Sequence, residues 1–443
     1  MPHPHRPKAT LVVRHALVAT CAAGASDAGL VTDGAVAVSG HLVAWVGLDA
    51  ALEAAVNPET AEIVDAGGRL VTPGLVDSHT HLVFAGDRAG ELAERALGRS
   101  YLEIAKAGGG ILATARATAA ASDEALLEAA LARARRLLAQ GVTTVEVKSG
   151  YGLTLEQELR LLRVAARLES ALRAEMTVVP TLLAAHAVPP ERAGDRERYV
   201  RDLCEELVPA VAAEGLAAFC DAFAEQGAFS LQEARSVLEA GAHHRLVPRL
   251  HADQLTPGGG ARLAAELRCS SADHLEHVDD AGIAALAEAG VVAGLLPLST
   301  LFLGIGRFAP ARRLLDAGVS IALATNVNPG SAMSENAGLT LSLASLSLGM
   351  TPAEALVAFT AGGARALRRP EFGRLARGCE ADLVLWGSRS VEHLSWHMGI
   401  SHALQVVKRG RTVYRAAPGA AADCASEGRA PEGSRLKFRQ SRP

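Results

Sequence analysis

Two histidines, His79 and His81, are the residues of the 443-residue sequence that most clearly indicate chemistry. They close the apolar segment LVTPGLVDSHTH, and residues i and i+2 of a strand project from the same face. Two imidazoles at the C-terminal end of a strand supply half of a metal site. Chance packing is the alternative, as for His3 and His5, which no strand pattern supports. The pair therefore predicts metal-dependent chemistry.

Two later apolar segments each supply another histidine. His251 follows the run Leu246–Leu250, and His274 stands in the segment SSADHLEH. A single histidine in either place is more often structural, but four at the ends of strands in one sheet indicate a shared site. His277 is predicted to begin a helix rather than to bind metal.

The elements that must position these histidines alternate in type along the chain. Apolar strand-like runs alternate with Ala/Leu/Glu/Arg-rich stretches such as Ser122–Gln140 and Thr154–Ala171, which have helical spacing. This rhythm is typical of an α/β protein with a parallel sheet, and eight strands close a TIM (β/α)8 barrel. The eight candidate strands are Leu70–His81, Thr143–Lys148, Val178–His186, Ala218–Phe223, Leu246–His251, Ser271–His274, Val291–Leu296 and Ile321–Thr325.

Short strand-like segments also flank the predicted barrel on both sides. They occur from Ala9 to Ala66, and again in Asp382–Trp386 and Gln405–Val413. Both termini are therefore expected to build one small β-sandwich-like domain. The predicted division is 1–69 and 369–415 for that domain, 70–368 for the barrel, and 416–443 for a disordered tail, which is poor in apolar residues.

The composition favours a small-molecule partner. A formal net charge of -4 gives no electrostatic case for nucleic acid. The uncharged run Gly290–Gly306 contains Pro297 and is too short for a membrane span, so no membrane association is expected. The six scattered cysteines have neither zinc-finger spacing nor the density of a disulfide scaffold, and a cytoplasmic protein with free thiols is expected.

Several longer segments resemble one known family. They include VDSHTHLVFAGDR, GVTTVEVKSGYGL, AAHAVPPE, HADQLTPGGGARLAAELRCSSADHLEH and NPGSA, and they resemble the imidazolonepropionases of the amidohydrolase superfamily. The segment GCEADLVLW is similar to the strand that re-enters the β-domain of that superfamily. The resemblance implies a homodimeric hydrolase of 4-imidazolone-5-propanoate that acts in histidine degradation.

The resemblance also implies roles for individual residues. One zinc or iron(II) ion would be bound by His79, His81 and His251, with Asn326 as the oxygen ligand. Catalysis would involve His274, Gln254 and Asn326. The substrate contacts would be Arg88, Tyr151, His186, Gln254, Asn328, Gly330 and Ser331.

Two of these positions have clear alternatives. The planar fork of Arg88 suits a substrate carboxylate, but the side chain could instead form an ordinary surface ion pair. Tyr151 follows a strand end in a Gly-flanked loop, although it could be a packed aromatic residue. Lys148 is predicted to pair with Glu146 rather than to bridge two metals, so a single ion is expected.

Residue 326 departs from the family pattern. The family has T-D-x-N-P-G on the eighth strand, whereas this chain has an asparagine, Asn326, after Thr325. An amide oxygen can bind a metal ion, but it carries no charge and cannot accept a proton as a carboxylate does. Three interpretations stay open: a working imidazolonepropionase, a weakened or inactive small-molecule binding protein, and another cyclic-amide hydrolase or deaminase on the same barrel.

Overall fold

The structure, a computed structural model, describes residues 6–22, 27–99, 103–104 and 107–417. The strands in these ranges are β1 Leu11–Ala19, β2 Leu30–Ser39, β3 Leu42–Leu48, β4 Glu62–Asp65, β5 Leu70–Pro73, β6 Leu75–Asp77, β7 Val142–Lys148, β8 Thr177–Ala185, β9 Phe219–Ala224, β10 Val247–Ala252, β11 Ser271–His274, β12 Val292–Leu295, β13 Ile321–Leu323, β14 Leu383–Trp386, β15 Ala403–Lys408 and β16 Arg411–Arg415. Two sheets result, one for the barrel and one for the termini.

The helices of the same ranges are Leu52–Ala55, Ala89–Ala96, Gly110–Ala120, Asp123–Leu138, Leu155–Leu172, Arg196–Asp202, Val208–Glu214, Leu231–His243, Gly260–Glu266, Asp280–Ala289, Pro297–Leu303, Ala311–Asp316, Ala337–Leu346, Pro352–Val357, Gly363–Ala366 and Glu392–Trp396. Short 3-10 turns cover Asp49–Ala51 and Pro190–Asp195, and π-helical turns cover Leu203–Leu207 and Ala358–Gly362.

Strands β6 to β13 form the barrel in sequence order, each parallel to the next. Backbone hydrogen bonds join the chain after β6 to the chain after β13: His81 N–H donates to Val327 O over 2.9 Å, and Asn326 N–H donates to His79 O over 3.0 Å. The predicted α/β barrel is confirmed. Its first and last strands meet at the residues of the candidate site.

Local sequence explains the barrel helices. Ser122 accepts a hydrogen bond from Ala125 N and begins the helix Asp123–Leu138, and Thr154 caps Leu155–Leu172 in the same way. Both predicted helices are confirmed to within two residues at either end. Their apolar faces pack on the main core, as hydrophobic residues at helical spacing require.

The second sheet combines both ends of the chain, as predicted. Its order is β16-β15-β14-β5-β1-β2-β3, with β4 also paired to β1. Strand β14 runs antiparallel to β5 and thereby joins the C-terminal segment to the N-terminal one. The domain division itself stays a prediction.

One predicted strand, Leu70–His81, is two strands in the structure. Strand β5 belongs to the terminal sheet, and β6 opens the barrel. Gly74 lies between them, where a Cβ would overlap the side chain of Thr143. The chain therefore passes from one sheet to the other at Pro73 and Gly74, and His79 and His81 follow β6 instead of lying within it.

Three further expectations concern the rest of the chain. Residues 418–443, most of the predicted tail, lie outside the described residues. Five free cysteines, Cys21, Cys204, Cys220, Cys269 and Cys379, lie within them. In the described part of the chain, no helix has the length and apolar character needed to cross a membrane.

Candidate active site

Four histidine rings meet at the C-terminal ends of the barrel strands. The ring centroids of His79 and His251 are 4.5 Å apart, and those of His251 and His274 are 5.4 Å apart. His81 lies 5.4 Å from His79. All four residues are at most 4% exposed. One ring nitrogen from each of His79, His251 and His274 falls within 4.8 Å of the others, which suits a shared metal ion.

Buried carboxylates orient two of these rings. His79 Nδ1 lies 2.7 Å from Asp273 Oδ2, and His251 Nδ1 lies 3.2 Å from Asp221 Oδ1. A carboxylate fixes the proton on Nδ1, so Nε2 keeps its lone pair. Within the described residues, the buried Nε2 of His79 has no hydrogen-bond partner. Such a nitrogen fits a metal ion.

Burial also keeps the imidazoles of His79 and His251 neutral. It is the main cause that lowers the pKa of His79 well below its ordinary value, and the cation of Lys148 lowers that pKa further. Burial likewise lowers the pKa of His251, although Asp221 opposes the shift. A neutral imidazole is the form that binds a metal ion.

The three clustered nitrogens differ from the predicted ligand set. The sequence assigned His81 to the metal ion and His274 to the reacting carbon, whereas the compact group contains His274. His274 and Leu275 have positive φ angles of 84° and 68°, an unusual backbone turn that accompanies this position of the ring. The ring of His81 instead stacks 5.6 Å from that of His186. The predicted metal role of His81 stays a prediction.

A cleft opens above the histidines. It brings together every predicted site residue except His79, which is buried and does not line it. The predicted residues that line the cleft are His81, Arg88, Tyr151, His186, His251, Gln254, His274, Asn326, Asn328, Gly330 and Ser331.

Arg88 is held at the wall of this cleft. Its Nε and Nη2 donate to Glu91 Oε2 over 2.9 and 2.7 Å, and Glu91 Oε1 accepts from Gly110 N over 2.8 Å. The Arg88 side chain is 4% exposed, so it is not an ordinary surface ion pair. Gly330 makes room for it, because a Cβ at that residue would overlap Arg88 Nη1.

The loop that carries Tyr151 is built around one buried acid. Glu158 accepts hydrogen bonds from the backbone N–H groups of Gly150, Gly152 and Leu153 over 2.7 to 2.8 Å. His186 Nδ1 donates to Gly150 O over 2.8 Å. Burial and the neighbouring His251 lower the pKa of His186 to about 4, so its Nε2 is available as an acceptor.

Two other acids fix the loop that carries Gln254. Asp253 accepts from the backbone of Gly258, Gly260 and Ala261 over 2.9 to 3.0 Å. Glu225 accepts from Leu255 N over 2.8 Å. The Gln254 side chain is therefore attached to a braced backbone at the rim of the cleft.

Comparison with known proteins identifies the family. A sequence model of the amidohydrolase family matches residues 70–416. The imidazolonepropionase of Anaeromyxobacter sp. (strain K) is 68% identical over 419 residues, which cover 95% of this chain and 99% of that protein. The imidazolonepropionase of Geobacillus kaustophilus is 46% identical over 391 residues, covering 88% and 92%. The chain belongs to the imidazolonepropionase family of amidohydrolases.

Solved structures support the same fold at low sequence identity. The atrazine chlorohydrolase TrzN from Arthrobacter aurescens, complexed with zinc, is 18% identical with a TM-score of 0.67, covering 92% of this chain and 95% of that one. The 5-methylcytosine deaminase of Klebsiella pneumoniae is 14% identical with a TM-score of 0.70, covering 92% and 98%. At these identities the likeness concerns the amidohydrolase fold alone.

Asn326 is held firmly at the point where this amidohydrolase departs from the family pattern. Its Oδ1 accepts from Asn328 Nδ2 over 3.1 Å, and its backbone φ is 57°. Asn328 Oδ1 accepts from Gly330 N and Ser331 N, both over 2.8 Å. The NPGS segment is therefore a rigid turn that carries Asn326 into the cleft.

Sequence reasoning missed the charges beneath the histidines. Lys148 forms the predicted ion pair with Glu146 over 2.8 Å, but it also contacts Asp221 over 2.7 Å. Arg249 contacts Asp273 over 2.9 Å. All five groups are at most 1% exposed. The available signal was the presence of charged residues inside otherwise apolar strands, where burial requires a partner.

Proposed function

We propose that the protein hydrolyses the ring C–N bond of 4-imidazolone-5-propanoate and releases N-formimidoyl-L-glutamate. The supporting observation is one cleft with a buried arginine on its wall and clustered imidazoles at its floor. Arg88 offers a permanent cation to the propanoate tail of the substrate. The similarity to imidazolonepropionases extends over almost the whole chain.

One zinc or iron(II) ion is the proposed cofactor. Nitrogen ligands with one oxygen suit either metal. The available donors are His79, His251 and His274, with His81 and Asn326 at the same cleft. When bound, the ion supplies Lewis acidity, which polarises a carbonyl and acidifies water.

Side chains of the cleft would bind the substrate and transfer protons. Arg88, Tyr151 and His186 would hold the substrate so that its ring carbonyl faces the imidazoles. With the ion held by His79, His81 and His251, His274 and Gln254 would stabilise the developing oxyanion and transfer protons. The water oxygen bonds to the carbonyl carbon, the ring C–N bond breaks, and the departing nitrogen takes a proton.

Asn326 supports one competing function, a binding protein that retains the pocket but hydrolyses slowly or not at all. The competing enzyme class is a deaminase on the same barrel. Arg88 favours a substrate with a carboxylate over a neutral nucleobase.

We further propose that the protein is a cytoplasmic homodimer. Light scattering of the purified protein would measure the mass of the assembly.

Metal analysis combined with steady-state kinetics tests the proposal. The purified chain should contain about one metal ion per protomer and should turn over imidazolonepropionate, but not cytosine or guanine. Chelation should abolish turnover, and added zinc or ferrous iron should restore it. Tight imidazolonepropionate binding without turnover would support the binding protein, and turnover of a nucleobase would support the deaminase.

A further inference from the structure

A buried network of charges lies directly beneath the candidate metal ligands. Asp273 Oδ2 accepts from His79 Nδ1 over 2.7 Å and from Arg249 Nη2 over 2.9 Å. Asp221 is similarly placed between His251 and Lys148. The proposed hydrolysis assigns no role to either aspartate.

The charges of this network do not cancel. Glu146, Asp221 and Asp273 are three carboxylates, whereas Lys148 and Arg249 are two cations. One formal negative charge is left at the base of the histidine cluster. Asn326, at the position where the family pattern has an aspartate, contributes none. A divalent cation bound by the imidazoles would be partly neutralised by this network and by Glu276, whose buried carboxylate lies 3.7 Å from His274 Nδ1.

Asp273 is the member of the network that is best placed to act on the site. Its Oδ1 has no hydrogen-bond partner among the described residues, while its Oδ2 is shared between Arg249 and His79. Gly294, on the adjacent strand β12, leaves room for this carboxylate, because a Cβ at residue 294 would overlap Asp273 Oδ1. The site therefore accommodates a carboxylate at this particular place.

We propose that Asp273 is a positioning residue that fixes the tautomer of His79 and supplies negative charge that Asn326 lacks. The inference rests on the proposed metal-dependent function. Arg249 holds the carboxylate by donating Nη2 to it, and the same Nη2 also lies 2.8 Å from Ser78 O, just before His79. Asp273 thus acts on the ion through an imidazole, without touching substrate.

A structural ion pair is the competing explanation, and the chain contains a matched example. Asp382 Oδ2 accepts from Lys408 Nζ over 2.6 Å, with both side chains at most 2% exposed, in the terminal sheet. Asp382 has the same chemistry and the same burial as Asp273 but contacts no histidine of the site. The variants Asp273→Asn and Asp382→Asn therefore separate positioning from general stability.

The test measures metal affinity of the full-length protein by chelator competition. Asp273→Asn should bind zinc about 10- to 100-fold more weakly than the wild type, the range typical of lost outer contacts to metal-binding histidines. Asp382→Asn should lower the thermal unfolding midpoint and leave zinc affinity unchanged. Unchanged affinity in Asp273→Asn, or an equal loss in Asp382→Asn, would overturn the proposal.

A second variant covers the case in which Asp273→Asn does not fold. Arg249→Lys keeps the cation but loses the Nη2 group that donates to both Asp273 Oδ2 and Ser78 O, and it should weaken zinc binding about threefold or more. Unchanged zinc affinity in this variant would contradict the inference. Wild-type turnover of imidazolonepropionate is measured in parallel, so that failure of the proposed function is recognised independently of the zinc affinities.

Discussion

The guanidinium of Arg88 packs against the backbone of Gly330, on the turn that also carries Asn326. The two residues come from opposite ends of the barrel sequence, yet the closure between the segments after β6 and β13 brings them together. The proposed carboxylate contact and the proposed oxygen ligand, Asn326, are thereby linked through a few backbone atoms. A change at one is expected to disturb the other.

Gly330→Ala should therefore impair substrate use. The added Cβ overlaps Arg88 Nη1, so the guanidinium must move, and a displacement of about 1 Å in a positioning group can reduce kcat/KM roughly 100-fold. Steady-state kinetics on imidazolonepropionate would measure the loss. Gly194→Ala is the control, because a Cβ there meets open space. Equal kinetics for the two variants would contradict the role of Arg88.

Glu158→Gln should perturb the loop of Tyr151. The carboxylate accepts three backbone N–H bonds, whereas an amide turns one acceptor into a donor and leaves an N–H unsatisfied, at a cost of about 1–3 kcal/mol. We expect KM for imidazolonepropionate to rise several-fold. Glu156→Gln, an exposed change on the same helix, is the matched control. An unchanged KM in Glu158→Gln would mean that the loop carrying Tyr151 does not contribute to substrate binding.

The sequence predicted the barrel well because buried parallel strands leave continuous apolar runs. It did not predict that the chain crosses from one sheet to the other at Gly74. It also did not predict that His274 lies in the compact group with His79 and His251. Both features depend on local backbone geometry. Asp273 and His79 are 194 residues apart in the chain. Residues so far apart in the chain form no local sequence pattern. The contacts between the buried carboxylates and the histidines are therefore visible only in the folded barrel.

Acid stability should depend on the ion pair between Glu233 and Arg196. Arg196 is the main cause that lowers the pKa of Glu233 to about 2. A carboxyl group whose folded pKa lies below its unfolded value of about 4.3 stabilises the fold above that value, and the contribution is lost as pH falls toward 2. For this partly exposed pair the contribution is about 1 kcal/mol or less.

Denaturant unfolding from pH 7 down to pH 3 would measure this effect in Glu233→Gln. Its stability deficit relative to the wild type should be constant near neutral pH and should shrink below about pH 4. Glu239→Gln, on the same helix with a looser 3.5 Å contact to Arg235, should show a smaller deficit. A stability deficit of Glu233→Gln that grows as the pH falls would contradict the assigned direction of the pH dependence.

Asn326→Asp should strengthen metal binding. Both neighbours of the side chain, Asn328 Nδ2 and the hydroxyl of Ser331, can donate to a carboxylate, so the change requires no rearrangement of the turn. A carboxylate in place of an amide next to a dication should raise zinc affinity on the order of tenfold or more. Chelator competition measures it, with the remote helix-cap variant Asn336→Asp as the control.

Combining Asn326→Asp with Asp273→Asn separates the two roles proposed for Asp273, supply of negative charge and orientation of His79. If the buried carboxylates already supply the charge that the ion needs, Asp273→Asn should cost less zinc affinity in the Asn326→Asp background than in the wild type, because the new carboxylate supplies that charge instead. Equal costs in both backgrounds would mean that Asp273 acts only by orienting His79. With zinc occupancy matched in both proteins, a wild type without turnover that becomes active as Asn326→Asp would mean that residue 326 must accept a proton.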